Sequence, residues 1–213
     1  MKKILVLTDF SENAWNALKY TTSLYKDVAC EFYILNSYSR DKYGLNTIDY
    51  LDPYEAFHKV SEIESKSKLT KLLQRITFFD SNKEHQFFII GEAKGLLSAT
   101  KCLIAELNIE QVLIAAKENS NKKSYKLGRN AREIIKKIKE VPILIVSNLK
   151  NLKPTYKIQA KNISFSSIEA TLNEGPIMLL KNTFPEETTS YPTYVLTDML
   201  QNIYLGFTQR IGI

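Results

Sequence analysis

The 213-residue chain has only two cysteines and two histidines, and no apolar run long enough to span a membrane. Each shortage excludes something. Cys30 and Cys102 sit in apolar surroundings (DVACEFYIL and TKCLIAEL) without paired spacing. They read as reduced core residues, neither a disulfide nor metal ligands. His58 and His85 stand far apart with no acidic cluster at ligand spacing, which leaves no metal site and no catalytic triad. Both read as surface residues. The opening MKKILVLTDF begins as a signal peptide would, but its apolar run ends at Asp9, too early and without a cleavage site. It reads as a strand, and a cytoplasmic protein with no membrane partner is expected.

What is present is an ordinary globular composition, 44 % hydrophobic and 24 % charged, with ample material for a core. The length suits one domain with an extension better than two full domains. Net charge is +6, and its placement matters more than its size. Between Lys117 and Glu140 nine basic residues (Lys117, Lys122, Lys123, Lys126, Arg129, Arg132, Lys136, Lys137, Lys139) face three acidic ones (Glu118, Glu133, Glu140). Such a run is ordinarily a solvated helix face and loop. The sharper reading is an electrostatic footprint for phosphate.

Hydrophobic periodicity orders the chain. KILVLT (3–8) is a near-continuous apolar run and predicts a strand buried on both faces. Asp9 and Ser11 offer caps for a first helix, whose stripe (Ala14, Ala17, Leu18, Thr21, Leu24, Tyr25, Val28) leaves Trp15 on the flank or facing a partner. EFYILN (31–36) is a second strand, and 38–53 reads as a loop. A long helix over 54–79 places Phe57, Val60, Ile63, Leu69, Leu72, Leu73 and Ile76 inward, with an exposed middle at SEIESKSK. QFFII (86–90) is the third strand, a helix over Leu96–Leu107 follows, and VLIAA (112–116) is the fourth strand. A polar loop then leads to a helix opening near Gly128, with Ala131, Ile134, Ile135 and Ile138 at helical spacing. PILIV (142–146) closes the pattern. Five strands alternating with four helices predict an α/β fold, a doubly wound, mostly parallel sheet with helices on both faces. The expected organisation is a domain over 1–148, a polar linker over 149–156, and an apolar extension over 157–213 without assigned role.

The stretch ILVLTDFSENAWNALKYTTSLYKDVACEFYILNSY resembles the universal stress protein family. So do Gly91-Glu92-Ala93 before the third helix and the closing Val141–Val146 run. The resemblance covers residues 1 to about 148 and implies the adenine-nucleotide α-hydrolase-like fold. Family members that bind ATP carry a glycine, two residues, a glycine, nine residues, then glycine with serine or threonine. Aligned through Gly128, this chain has Ala115 and Glu118 at the first two glycines and Arg129 at the hydroxyl position. The resemblance then implies nucleotide-contacting positions at Thr8, Asp9, Ser37, Ala115, Glu118, Gly128, Arg129 and Asn130. It also implies a homodimer pairing along Val141, Pro142, Ile143, Leu144, Ile145 and Val146. Asp9 is equally explained as a turn or capping acid. Glu118 would bring a like charge toward phosphate, at a cost of roughly 1 kcal/mol at 4 Å in water and more in a drier site.

The function implied is a stress-associated regulatory protein acting by binding, with no catalytic residues, no metal and no required cofactor. ATP or AMP would bind weakly or not at all. Two alternatives belong to other classes. An ATP-hydrolysing enzyme of the related α-hydrolase group needs a glycine- and serine-rich loop after the first strand, where this chain reads TDFSEN. A nucleic-acid binder would use the 117–139 patch, but its aromatic interleaving is thin, only Tyr125.

Overall fold

The first apolar run becomes β1 (Lys2–Leu7), in which Ile4, Leu5 and Val6 are essentially inaccessible to solvent. Both faces are covered, as a parallel strand requires. The structure, a computed structural model, describes residues 1–38, 53–119, 124–147, 161–162, 164–173, 175–181 and 192–194. It divides into two units, Met1–Val112 and Leu113–Ile213, with the boundary inside β4 (Gln111–Ala115).

In the first unit, β2 (Cys30–Ser37) and β3 (Gln86–Glu92) follow β1 in parallel register, with Ile4 opposite Phe32 and Phe32 opposite Phe87. The start of β4 lies on the other side of β1, where Glu110 N–H donates to the Lys3 carbonyl at 2.9 Å. The strand order β3-β2-β1-β4 therefore steps one way twice and then reverses. Right-handed crossovers put α1 (Glu12–Leu24) and α2 (Pro53–Phe79) on one face and α3 (Leu96–Leu107) on the other. This is the expected doubly wound, mostly parallel α/β sheet. The expected strands are β1, β2, β3, β4 and β7 (Ile143–Val146), and the sheet continues beyond them.

Three expectations for this unit need correction. His85 is buried, not superficial. Its Nδ1 lies 2.6 Å from Asp80 Oδ2, and its Nε2 lies 3.0 and 3.1 Å from the carbonyls of Tyr25 and Val28. Both ring nitrogens therefore face oxygen acceptors. The middle of α2 is not simply exposed either. Ser61 and Ser65 are buried while Ile63 is 64 % exposed. For Ser65 the reason is polar: its Oγ donates to Asn36 Oδ1 at 2.8 Å, and Asn36 Nδ2 donates to the Thr8 carbonyl at 3.0 Å. Cys102 is half-buried and reaches outward to the Glu106 carboxylate at 3.0 Å, whereas Cys30 is fully buried, its thiol pushed up to about 11 by burial. Trp15 covers the helix flank, 6 % exposed, edge-on to Phe79 at the end of α2 and under the Arg75 guanidinium. His58 lies on α2, but its side chain is outside the described residues, as are 39–52 of the expected loop.

In the second unit the order continues β4-β7-β9-β10-β8. The three added strands, β8 (Lys161–Asn162), β9 (Ile177–Lys181) and β10 (Pro192–Tyr194), all come from the C-terminal extension. Strand β9 runs antiparallel to β7, pairing Ile143 with Leu179, Leu144 with Met178 and Ile145 with Ile177. Strand β9 thus occupies the side of β7 along Ile143–Ile145, within the run expected as a dimer edge over Val141–Val146. An unpaired apolar edge is a liability, and the chain covers this one with its own backbone. Ile177, Met178 and Leu179 are buried, as are Ile168 and Leu172 of α5 (Phe165–Thr171) and its C-cap. The linker expected over 149–156 lies outside the described residues. Among the described residues no helix is long and apolar enough to cross a membrane.

Candidate functional site

In the first unit, Thr8 and Asp9 follow β1 and Ser37 ends β2, so all three lie at the carboxyl ends of parallel strands. That is where open α/β sheets carry ligands. Their side chains are nevertheless used locally. Thr8 Oγ1 accepts from Phe10 N–H at 3.0 Å, and Asp9 Oδ1 accepts from Ser11 N–H at 3.0 Å. These bonds hold Phe10 at φ 62, a left-handed conformation that costs a non-glycine residue about 1 kcal/mol. Ser11, not Asp9, is the N-cap of α1, accepting from Ala14 N–H. The Ser37 hydroxyl donates to the Lys94 carbonyl. Asp9 thus acts as a turn acid, exposed to solvent.

In the second unit, the polar stretch after β4 folds into a hairpin that periodicity did not reveal. β5 (Lys117–Asn119) pairs antiparallel with β6 (Ser124–Lys126), with Glu118 opposite Tyr125. Burial and the adjacent Glu118 charge raise the Tyr125 phenol above its ordinary value. Residues 120–123, including Lys122 and Lys123, lie outside the described residues. Ala115 is half-buried at the end of β4, and Ala116 N–H donates to the Val146 carbonyl at 2.8 Å.

Gly128 is the N-cap of α4 (Arg129–Lys137), as the sequence led one to expect, but its φ of −63 makes no demand for glycine. Space does: a Cβ there would stand 3.3 Å from Lys117 Cε. The Lys117 stem therefore lies directly beside the glycine. Arg129 and Asn130, in the first turn, are exposed, as are Lys126, Arg132, Lys136, Lys137 and Lys139.

The decisive residues in this unit were not among those singled out by sequence. Glu169 of α5 puts one carboxylate oxygen, Oε1, against both the Leu127 N–H at 3.0 Å and Arg132 Nη2 at 2.7 Å. Asn173 Oδ1 accepts from Tyr125 N–H at 3.0 Å, and the Arg132 guanidinium also lies over the Phe165 ring. Burial would raise the Glu169 carboxyl, but the Arg132 and Leu127 hydrogen bonds and the positive charges of Arg132 and Lys126 outweigh it. The result is an acid below its ordinary value. No periodic signal could have linked Leu127 to Glu169, more than forty positions apart. Only the local charge excess over 117–139 hinted that an anion was wanted there.

Among the described residues no group of three or more His, Cys, Asp or Glu side chains could hold a metal ion. No family model and no curated protein matches the chain. Solved structures do resemble it. The hypothetical protein MJ0577 superposes with a TM-score of 0.52 at 20 % identity, covering 70 % of this chain and 98 % of that one. The hypothetical protein PH0823 gives 0.49 at 17 % identity over 71 % and 99 %. The universal stress protein UspA from Lactobacillus plantarum gives 0.48 at 13 % identity over 68 % and 96 %. Likeness at such identities speaks for the fold alone, and the fold is a mostly parallel α/β arrangement.

Proposed function

We propose that this chain is a non-catalytic regulatory protein of the universal stress protein type, one that acts by binding and in which the nucleotide loop has been closed. The supporting observation is the state of the loop: Glu118 is fixed in the β5–β6 hairpin, and Leu127 N–H is donated to Glu169. Backbone donors of this kind serve phosphate only when they are open and the approach carries no like charge. The fixed turn at Thr8–Ser11 likewise commits the Asp9 side chain to Ser11 N–H. Stress-associated regulation in the cytoplasm, without ATP turnover, is the role that suits such a chain.

Association through the last parallel strand, as the family resemblance implies, does not suit it. That edge is filled by β9, so the whole chain is monomeric in this reading. Isothermal titration of the whole protein with ATP and with AMP should show no saturable binding below the millimolar range. Incubation with ATP should release neither pyrophosphate nor phosphate. Micromolar ATP binding by the unmodified chain would sink the closed-loop reading, and steady product release would sink the non-catalytic one.

A further inference from the structure

We propose that Glu169 is a built-in stand-in for a phosphate oxyanion, making α5 of the extension an autoinhibitory latch over an anion site formed by Leu127 N–H and Arg132. The inference rests on the closed-loop reading and adds what closes the loop and what would open it. The geometry is the starting point. One oxygen takes a backbone N–H and a guanidinium N–H together, at 3.0 and 2.7 Å. A carboxylate and a phosphate oxygen ask for the same donors, and guanidinium serves both. Leu127 is buried, so its N–H has little access to water if Glu169 leaves, and an unsatisfied buried donor is costly. The donors therefore want an anion at all times.

The surroundings favour a phosphate as the competitor. Nine basic residues against three acidic ones lie between Lys117 and Glu140, and Glu169 reaches them from outside that segment. Release concerns the Glu169 side chain, since the buried Ile168 and Leu172 hold α5 itself in place. α5 has only seven residues, its own cap is Ser164, and its polar ties to the loop are side-chain contacts from Glu169 and Asn173. The Arg132 side of the pair is open to water, with side-chain exposures of 47 % for Arg132 and 18 % for Glu169. Exposed pairs hold weakly and are weakened further by salt. A ligand that brings two or more phosphate oxygens can outcompete a single carboxylate here. Binding and the Glu169 contact are then mutually exclusive, so each weakens the other by the same factor.

The test uses the whole chain, with inorganic pyrophosphate as the probe, followed by isothermal titration at low salt. If the latch is closed nine-tenths of the time, the apparent affinity of the parent is reduced about tenfold. Glu169→Ala should therefore bind pyrophosphate at least about tenfold more tightly than the parent, and Arg132→Ala in the same background should remove the gain. Glu169→Gln, which keeps the shape and removes the charge, should show a gain of the same sign, and it stands in if the alanine variant fails to fold by circular dichroism. ATP should gain by the same factor as pyrophosphate, because the site reads phosphate alone. Unchanged pyrophosphate affinity in both Glu169 variants would overturn the latch, as would a gain that survives Arg132→Ala or one confined to ATP. Tight ATP binding by the unmodified chain would be a different failure, that of the closed loop itself.

Discussion

Ile177→Asp should detach β9 from β7 and open an edge through which copies of the chain associate. Ile177 is fully buried and faces Ile145 in the antiparallel register, so an aspartate there would have to bring an unpaired carboxylate into an apolar layer. Burying such a charge costs far more than a strand of five residues can return. The strand would leave rather than carry it. Its departure also uncovers its neighbours Met178 and Leu179, each of which contributes about 1.5–3 kcal/mol when buried. What remains is an open edge of Ile143, Leu144, Ile145 and Val146, all buried in the parent and all prone to pair with another copy. Light scattering at micromolar concentration should give the mass of one chain for the parent and of two or more for the variant. A variant that stays monomeric and retains the parent's urea midpoint would show that β9 is not what covers the edge.

The second large effect concerns the buried imidazole. His85→Phe should destabilise the protein by several kcal/mol, because each buried acceptor left unsatisfied costs about 1–3 kcal/mol. The ring itself is replaceable, since Phe32 and Phe87 already surround it at 5.0 and 6.3 Å. The polar partners are not. The Asp80 carboxylate and the carbonyls of Tyr25 and Val28 would all face an apolar ring, away from water. Asp80→Leu combined with His85→Phe should cost less than the two single changes added together, because the second removes the orphan left by the first. Urea unfolding reads both values from the midpoint and slope. A single-variant loss under about 1 kcal/mol would mean that these contacts contribute little to the fold.

These two sites also mark where the sequence stopped being readable. The strand β1 and the helix α4 announce themselves, because a buried strand leaves a continuous apolar run and a helix leaves Ala131, Ile134 and Ile135 on one face. Apart from the β5–β6 hairpin, the order of elements from β1 to β7 follows from such runs. Polar interiors leave no period. Ser65 of α2 turns inward and donates to Asn36, and a stripe drawn on hydrophobicity alone puts Ile63 there instead. His85 looks like a surface residue until its acceptors are seen converging from the end of α1, the turn after it and the turn after α2.

The candidate site was legible in position and not in chemistry. Thr8, Asp9 and Ser37 do lie at strand ends, and Gly128 does open α4. What their side chains and neighbours do there depends on partners that are distant in sequence or locked in short turns. The Lys117 stem over Gly128 and the Glu169 carboxylate on Leu127 come from a hairpin and an extension that carry no motif. The extension also changes what β7 is for. Judged by its own residues it is an apolar edge awaiting a partner, and the partner is thirty-odd residues further along the same chain.

Hydrogen exchange read by mass spectrometry on the whole chain tests most directly whether the extension is a structural part of the second unit. The β7 peptide over 143–146 and the β9 peptide over 177–181 should be protected together, and the segment over 124–128 should share that protection through Leu127 and Tyr125. Fast, coil-like exchange over 177–181 beside a protected β7 would contradict the account.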